Sequence, residues 1–186
     1  MNVKWILVAG LALLALQAGA QQAAADAQSS ASAANRAEAL SNPHPSPRQR
    51  AELQKAALAG QNQQSGDSLL ASNASRAGVT VLPSGVQYRV LKAGSGKRPL
   101  ETSSVLARYK GTLTDGSVFD QTDSKAPAQL QVAGLLPGLK EAVKLMPVGS
   151  QWQVVVPPQL GYGARGAEGV GPNAVLTYVV ELVGIK

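Results

Sequence analysis

The sequence has no cysteine and a single histidine, His44. Those two shortages remove disulfide frameworks, thiolate metal clusters, a lipid-modified cysteine, His-rich metal sites and histidine-based triads. Aromatic residues make up only 4% of the 186 residues, so where they fall carries information. Charge is sparse too, with 17 Lys+Arg against 11 Asp+Glu and a net +6. The basic residues form no concentrated run, which excludes the usual footprint of a nucleic-acid binder. At 45% apolar residues, the chain can still build a globular core.

Long apolar runs are also scarce. One lies at Trp5–Leu16, behind the short basic start Met1–Lys4 and ahead of the small-x-small site Ala18-Gly19-Ala20. It is shorter than the roughly 20 residues a membrane span takes. Residues 1–20 read as a cleaved export signal, against the alternative of an uncleaved anchor. The mature chain is then expected outside the cytoplasm, periplasmic in the first instance or else outer-membrane-associated or secreted, with no stable membrane insertion.

Behind the signal, residues 21–45 are alanine-rich and carry Leu40 as their only larger aliphatic side chain. Such a segment buries too little apolar surface to offset its ordering entropy, so a disordered tether is expected, with His44 a solvated linker residue. Residues 46–78 read as a short helical region. Ser46, Pro47 and Gln49 have capping-box spacing, and the pattern predicts one helix over Arg48–Leu58 stopped by Gly60. A second is predicted from about Asp67 to Ala77. Both have narrow apolar faces and need a partner surface.

From Val79 the chain turns β-rich. Val79–Leu82, Gly85–Leu91, Ser103–Leu113, Gln151–Pro157 and Val175–Ile185 are bounded by Gly, Pro and Asp. Thr114–Ser117 reads as a hairpin turn in which Asp115-Gly116 suits two positive φ angles. One convincing helix, Leu139–Leu145, interrupts the strands. The pattern predicts an α+β fold over 79–186, an antiparallel β-sheet curled around one short α-helix, preceded by a helical and disordered N-terminal segment. Tyr88 and Trp152 are assigned to strand packing, with Trp152 half exposed. Lys140, Glu141 and Lys144 are assigned to the helix's solvated face.

Six aromatics, Tyr88, Tyr109, Phe119, Trp152, Tyr162 and Tyr178, lie beyond Gly78. Tyr109–Leu113 followed by Asp115–Asp120 resembles the Y-x-G-x-L…DG-x-x-FD signature of the FKBP family of peptidyl-prolyl isomerases. Leu135–Leu139, Met146–Gly149, Pro157–Gly163, Gly171–Leu176 and Tyr178–Leu182 are similar to the later family blocks, in the family's order. Leu82–Tyr88 is similar to the lead-in of its exported bacterial branch, the macrophage infectivity potentiator type.

The resemblance implies an FKBP-like fold and isomerisation of X-Pro bonds in proline-containing polypeptide clients. It assigns Asp120, Tyr162 and Tyr109 to the chemistry, with the Tyr162 hydroxyl donating to one substrate carbonyl, the Leu136 backbone N–H to another, and Asp120 held by Tyr109 beside the twisting amide. It assigns Phe119, Leu135, Leu136, Leu139, Val170, Tyr178, Ala128 and Leu130 to the proline pocket. Two departures stand out. Leu139 occupies the place of the family's usual pocket-floor tryptophan, and Ala128 and Leu130 replace phenylalanines on one wall. Weaker grip on proline and on the family's macrolide inhibitors is expected. The alternatives are a non-catalytic chaperone or peptide-binding module, and a tethered domain whose N-terminal helices pair two chains. The tether and helices are much shorter than that branch's dimerising modules, which points to a monomer.

Overall fold

The computed structural model describes residues 45–123 and 126–186. The export signal, almost all of the tether and His44 therefore lie outside the described residues. The chain divides into two compact units, residues 1–52 and 53–186. In the first, Ser46 N–H donates to Gln49 Oε1 at 2.8 Å and Gln49 N–H to Ser46 Oγ at 3.3 Å, a reciprocal cap.

This cap opens a single helix, α1, running over Pro47–Ala74 for 28 residues, where the sequence pattern predicts two. Gly60 does not stop it. A glycine inside a helix costs only about 1 kcal/mol relative to alanine, too little to break a helix whose later turns pack on a sheet. Its apolar residues are spread around the helix rather than gathered into a stripe. Its second half is seated instead by polar and small residues. Buried Asn73 donates to Gln87 Oε1 at 2.8 Å, and Gln87 Nε2 donates to Leu70 O at 2.9 Å.

The second unit is built on seven strands: β1 Val79–Val81, β2 Gln87–Lys92, β3 Ser104–Thr112, β4 Val118–Gln121, β5 Ala128–Gln131, β6 Gln151–Val156 and β7 Leu176–Ile185. They form one antiparallel sheet in the order β1-β2-β6-β7-β3-β4, with β5 also paired to β3. β4 lies along Lys110–Thr112 and β5 along Ser104–Ala107. The far side of β3 is taken by β7. So β4 and β5 are successive pieces of one broken edge. The sequence pattern leaves both four-residue pieces out of its strand set.

A second helix, α2, spans Pro137–Leu145 and contributes Leu139, Ala142 and Val143 to the core. On β6, Trp152, Val154 and Val156 alternate into the same core, with Met146, Leu176 and Leu182 fully buried beside them. Trp152 is only 5% exposed, not half exposed, because Tyr88 stacks on it with centroids 4.3 Å apart. Val155, on the opposite face of β6, is buried as well, at the position paired with Gln87. That is the side on which Gln87 meets α1.

Two local details also depart from the pattern. In the β3–β4 turn, Gly116 N–H bonds Leu113 O at 3.0 Å and Leu113 N–H bonds Ser117 O at 2.9 Å. Gly116 has φ 83°, whereas Asp115 is not in the left-handed region, so this is a three-residue loop closed by a left-handed glycine. Lys140 and Lys144 are not merely solvated. Both pair with Glu101, at 3.5 and 3.1 Å, tying the segment before β3 to α2.

Candidate active site

The inner face of β3 sets the site's position. Val105, Ala107, Tyr109 and Gly111 alternate to one side, and Gly111 pairs with Asp120 on β4 and Tyr178 on β7. Where most residues would place a Cβ, Gly111 leaves room for rings. A Cβ there would stand 2.7 Å from Phe119 Cζ and 3.0 Å from Tyr178 Cε1. The pairing of β3 with β4 shifts between Gly111 and Thr112, so Phe119 and Asp120 sit at a bulge. On a regular strand neighbouring side chains point to opposite faces, and a bulge re-aims them. Thus Phe119 and Asp120, adjacent in sequence, both serve one cluster.

Four contacts define that cluster. Phe119 meets Tyr178 edge-on at 5.6 Å between centroids and Tyr162 edge-on at 6.4 Å. Tyr109 meets Tyr178 edge-on at 6.3 Å. The Tyr109 hydroxyl donates to Asp120 Oδ2 at 2.9 Å. Such ring arrangements place positive edges against negative faces, so the rings lock one another.

The remaining residues assigned by the sequence lie in or against the hydrophobic core that also holds Tyr178, with one exception. Leu139 and Val170 are buried in the core, while Leu130, Leu135, Leu136 and Tyr162 pack against it half-buried. Leu136 forms the N-cap of α2, and Tyr162 follows a short 3-10 turn at Pro158–Leu160. Ala128, half-buried on β5 opposite Ala107, does not join that cluster.

The electrostatics follow from burial beside one acid. Burial first, and the Asp120 carboxylate it bonds to second, push the Tyr109 phenol up to about 12. The Tyr178 phenol is pushed up further still, by burial first and then by Tyr162, Asp120 and Tyr109. Tyr109 and Tyr178 are therefore both uncharged near neutrality. Among the described residues, no group of three or more His, Cys, Asp or Glu is placed to hold a metal ion.

Two contributors escape the sequence reading. Gly111 gives way to the rings. Thr122 clamps Tyr109 from behind, its Oγ1 accepting the Tyr109 N–H at 3.1 Å. A glycine inside an otherwise β-rich run is the available signal for the first, since it marks a bulge or a close approach. No signal marks the second.

Comparison with known proteins agrees with this arrangement. Residues 96–183 match the family described as FKBP-type peptidyl-prolyl cis-trans isomerase, and residues 9–90 match the domain amino-terminal to it. The solved structure of FkpA from Escherichia coli superposes with a TM-score of 0.71 at 31% identity, covering 92% of this chain and 80% of that one. The chain belongs to the FKBP family. Other FKBP relatives extend the match. The outer membrane protein MIP of Legionella longbeachae is 45% identical over 69% of this chain and 56% of its own length. The isomerase FkpA of Aeromonas hydrophila is 44% identical over 68% of this chain and 47% of its own length. This FKBP chain thus spans about half the length of those relatives.

Proposed function

We propose that the chain is a peptidyl-prolyl cis-trans isomerase acting on X-Pro bonds of exported polypeptides, assisting their folding. The observation that carries this is the joining of Phe119, Tyr162 and Tyr178 by ring contacts around one acid, Asp120, held by Tyr109. Family membership supports the same reading.

The chemistry asks for little more. Amide resonance sets a barrier of about 18–20 kcal/mol to rotation of the prolyl bond. The planar amide is more dipolar than the twisted one, so water stabilises the ground state more than the transition state. An apolar cup that takes the proline ring removes that preference, and each 1.36 kcal/mol gained is about tenfold in rate. In this reading Phe119, Leu135, Leu136, Leu139, Val170 and Tyr178 form the cup, with Leu130 and Ala128 at its wall. The Tyr162 hydroxyl and the Leu136 N–H take substrate carbonyls, and Asp120 favours the altered charge of the twisting amide. The export reading rests on the sequence of residues 1–20 and on the outer-membrane naming of a relative. Among the described residues, no helix is long and apolar enough to cross a membrane. Macrolide inhibitors of the family bind weakly, because leucine at 139 offers no flat ring.

A proline-limited tetrapeptide assay on the purified chain, with Asp120→Ala beside it, tests the proposal. Acceleration that falls in the variant supports it. No acceleration at micromolar chain leaves the second reading, a non-catalytic chaperone or peptide-binding module. Leu139 and Ala128, both smaller than the family's usual rings, favour that one.

A further inference from the structure

The loop between Tyr162 and Ala174 has little to hold it from within. Gly163, Gly166 and Gly169 all adopt positive φ, and glycine-rich backbone of this kind has many alternative conformations. Its internal ties are one bridge, Ala167 to Val170 at 2.9 and 3.0 Å, a closure at the base, where Asn173 N–H meets Gly163 O at 2.9 Å, and a long shared bond from Gly166 N–H to Tyr162 O and Gly163 O, both at 3.3 Å. Yet Val170 on this loop is 4% exposed and packed in the hydrophobic core that also holds Tyr178. Something outside the loop fixes its outgoing limb.

That something is α1. Asn62 Nδ2 donates to Pro172 O at 2.8 Å. One turn earlier, Leu58 lies against Gly171, where a Cβ would stand 3.1 Å from Leu58 Cδ2 and 2.7 Å from Asn62 Nδ2. One turn later, a Cβ on Gly66 would stand 2.6 Å from Val175 Cγ2. Leu58, Asn62 and Gly66 recur at intervals of four and so share one helix face. That face follows Gly171, Pro172 and Val175 in order. Both glycines are needed for the approach, one on each side of the contact.

We infer that Asn62 is a positioning residue for the pocket loop, so that the second half of α1 acts as a brace for the substrate site. The inference rests on the isomerase reading above. Asn62 touches no substrate in this role. It anchors the limb that places Val170 against the proline.

The test compares Asn62→Ala and Asn62→Asp with Asn73→Ala in the full chain. Asn62→Asp keeps the shape and removes the donor. Asn73→Ala loosens the same helix about 16 Å further along its axis. Expected for both Asn62 variants is a KM for proline peptides raised about fivefold, the loss one ordinary hydrogen bond gives. Their kcat stays near the starting value, and amide exchange at Ala167 and Val170 quickens. Asn73→Ala is expected to lower the melting temperature while leaving KM and loop exchange unchanged. Asn62 variants with an unchanged KM, or an Asn73→Ala chain with the same KM rise, overturn the inference alone. A starting chain with no isomerase activity overturns the isomerase reading and this inference with it.

Discussion

Gly111→Ala is the substitution that most directly probes the ring cluster. The added methyl carbon would lie 2.7 Å from Phe119 Cζ, 3.0 Å from Phe119 Cε1 and 3.0 Å from Tyr178 Cε1. Carbon atoms rest at about 3.5–4.0 Å, so Phe119 has to retreat by roughly 0.8 Å or more. Overpacking of this kind costs about 1–3 kcal/mol. Replacing a strand glycine with alanine returns about 0.5–1 kcal/mol of backbone entropy. The expected net loss is therefore about 1–2 kcal/mol, read as a lower urea midpoint with an unchanged m-value. If the isomerase reading holds, turnover falls by more than stability explains, because the displaced ring is a wall of the proposed pocket. Phe119→Leu removes the atoms that collide, so Gly111→Ala/Phe119→Leu is expected to be more stable than the two single effects added together. A Gly111→Ala chain that unfolds at the original midpoint and isomerises at the original rate would refute the claim that β3 is pared down to admit these rings.

In the proposed pocket Leu139→Trp is expected to supply a flat floor, and about 1–2 kcal/mol of extra apolar contact corresponds to roughly five- to thirtyfold tighter macrolide binding by titration. Unchanged affinity would show that position 139 does not face the ligand. Tyr109→Phe is expected to lower turnover while costing about 1 kcal/mol of stability or less, since Asp120 is exposed and water replaces the lost donor. Equal turnover in the variant would separate Tyr109 from the chemistry. Alkaline titration supplies a further check. Below pH 10 the Tyr109 phenol is protonated in both folded and unfolded chains, so it adds no pH dependence. Between pH 10 and about 12 the unfolded chain loses that proton and the folded chain holds it, so stability falls as pH rises. The urea midpoint is expected to decline from pH 10 and to decline less in Tyr109→Phe. An identical decline in that variant would contradict the assignment.

Much of the site was legible along the chain because its parts are local strings. Tyr109–Leu113, Asp115–Asp120 and Gly161–Gly163 each combine a turn or strand signal with an aromatic residue in a chain otherwise poor in them. Five strands and α2 followed from alternation and punctuation. The misreadings share a cause. Gly60 and the Asp115-Gly116 pair were weighed by intrinsic preference, which tertiary packing and the loop's own hydrogen bonds override by amounts near 1 kcal/mol. Trp152 between two glutamines gives no hint of the Tyr88 ring that covers it.

The sequence by itself determined that no disulfide, thiolate cluster or histidine-based triad can be built, and that an antiparallel sheet with one short helix follows a different N-terminal region. It also determined the identity of the rings and the acid. Only the tertiary structure decided that α1 is continuous and lies against the pocket loop, and that a bulge turns Phe119 and Asp120 to a common purpose. The reason is that α1 binds through Leu58, Asn62, Gly66, Leu70 and Asn73, whose fit depends on close approach and three hydrogen bonds rather than on an apolar stripe. Hydrophobic periodicity reports burial along one element, and shape complementarity between two elements leaves no trace in it.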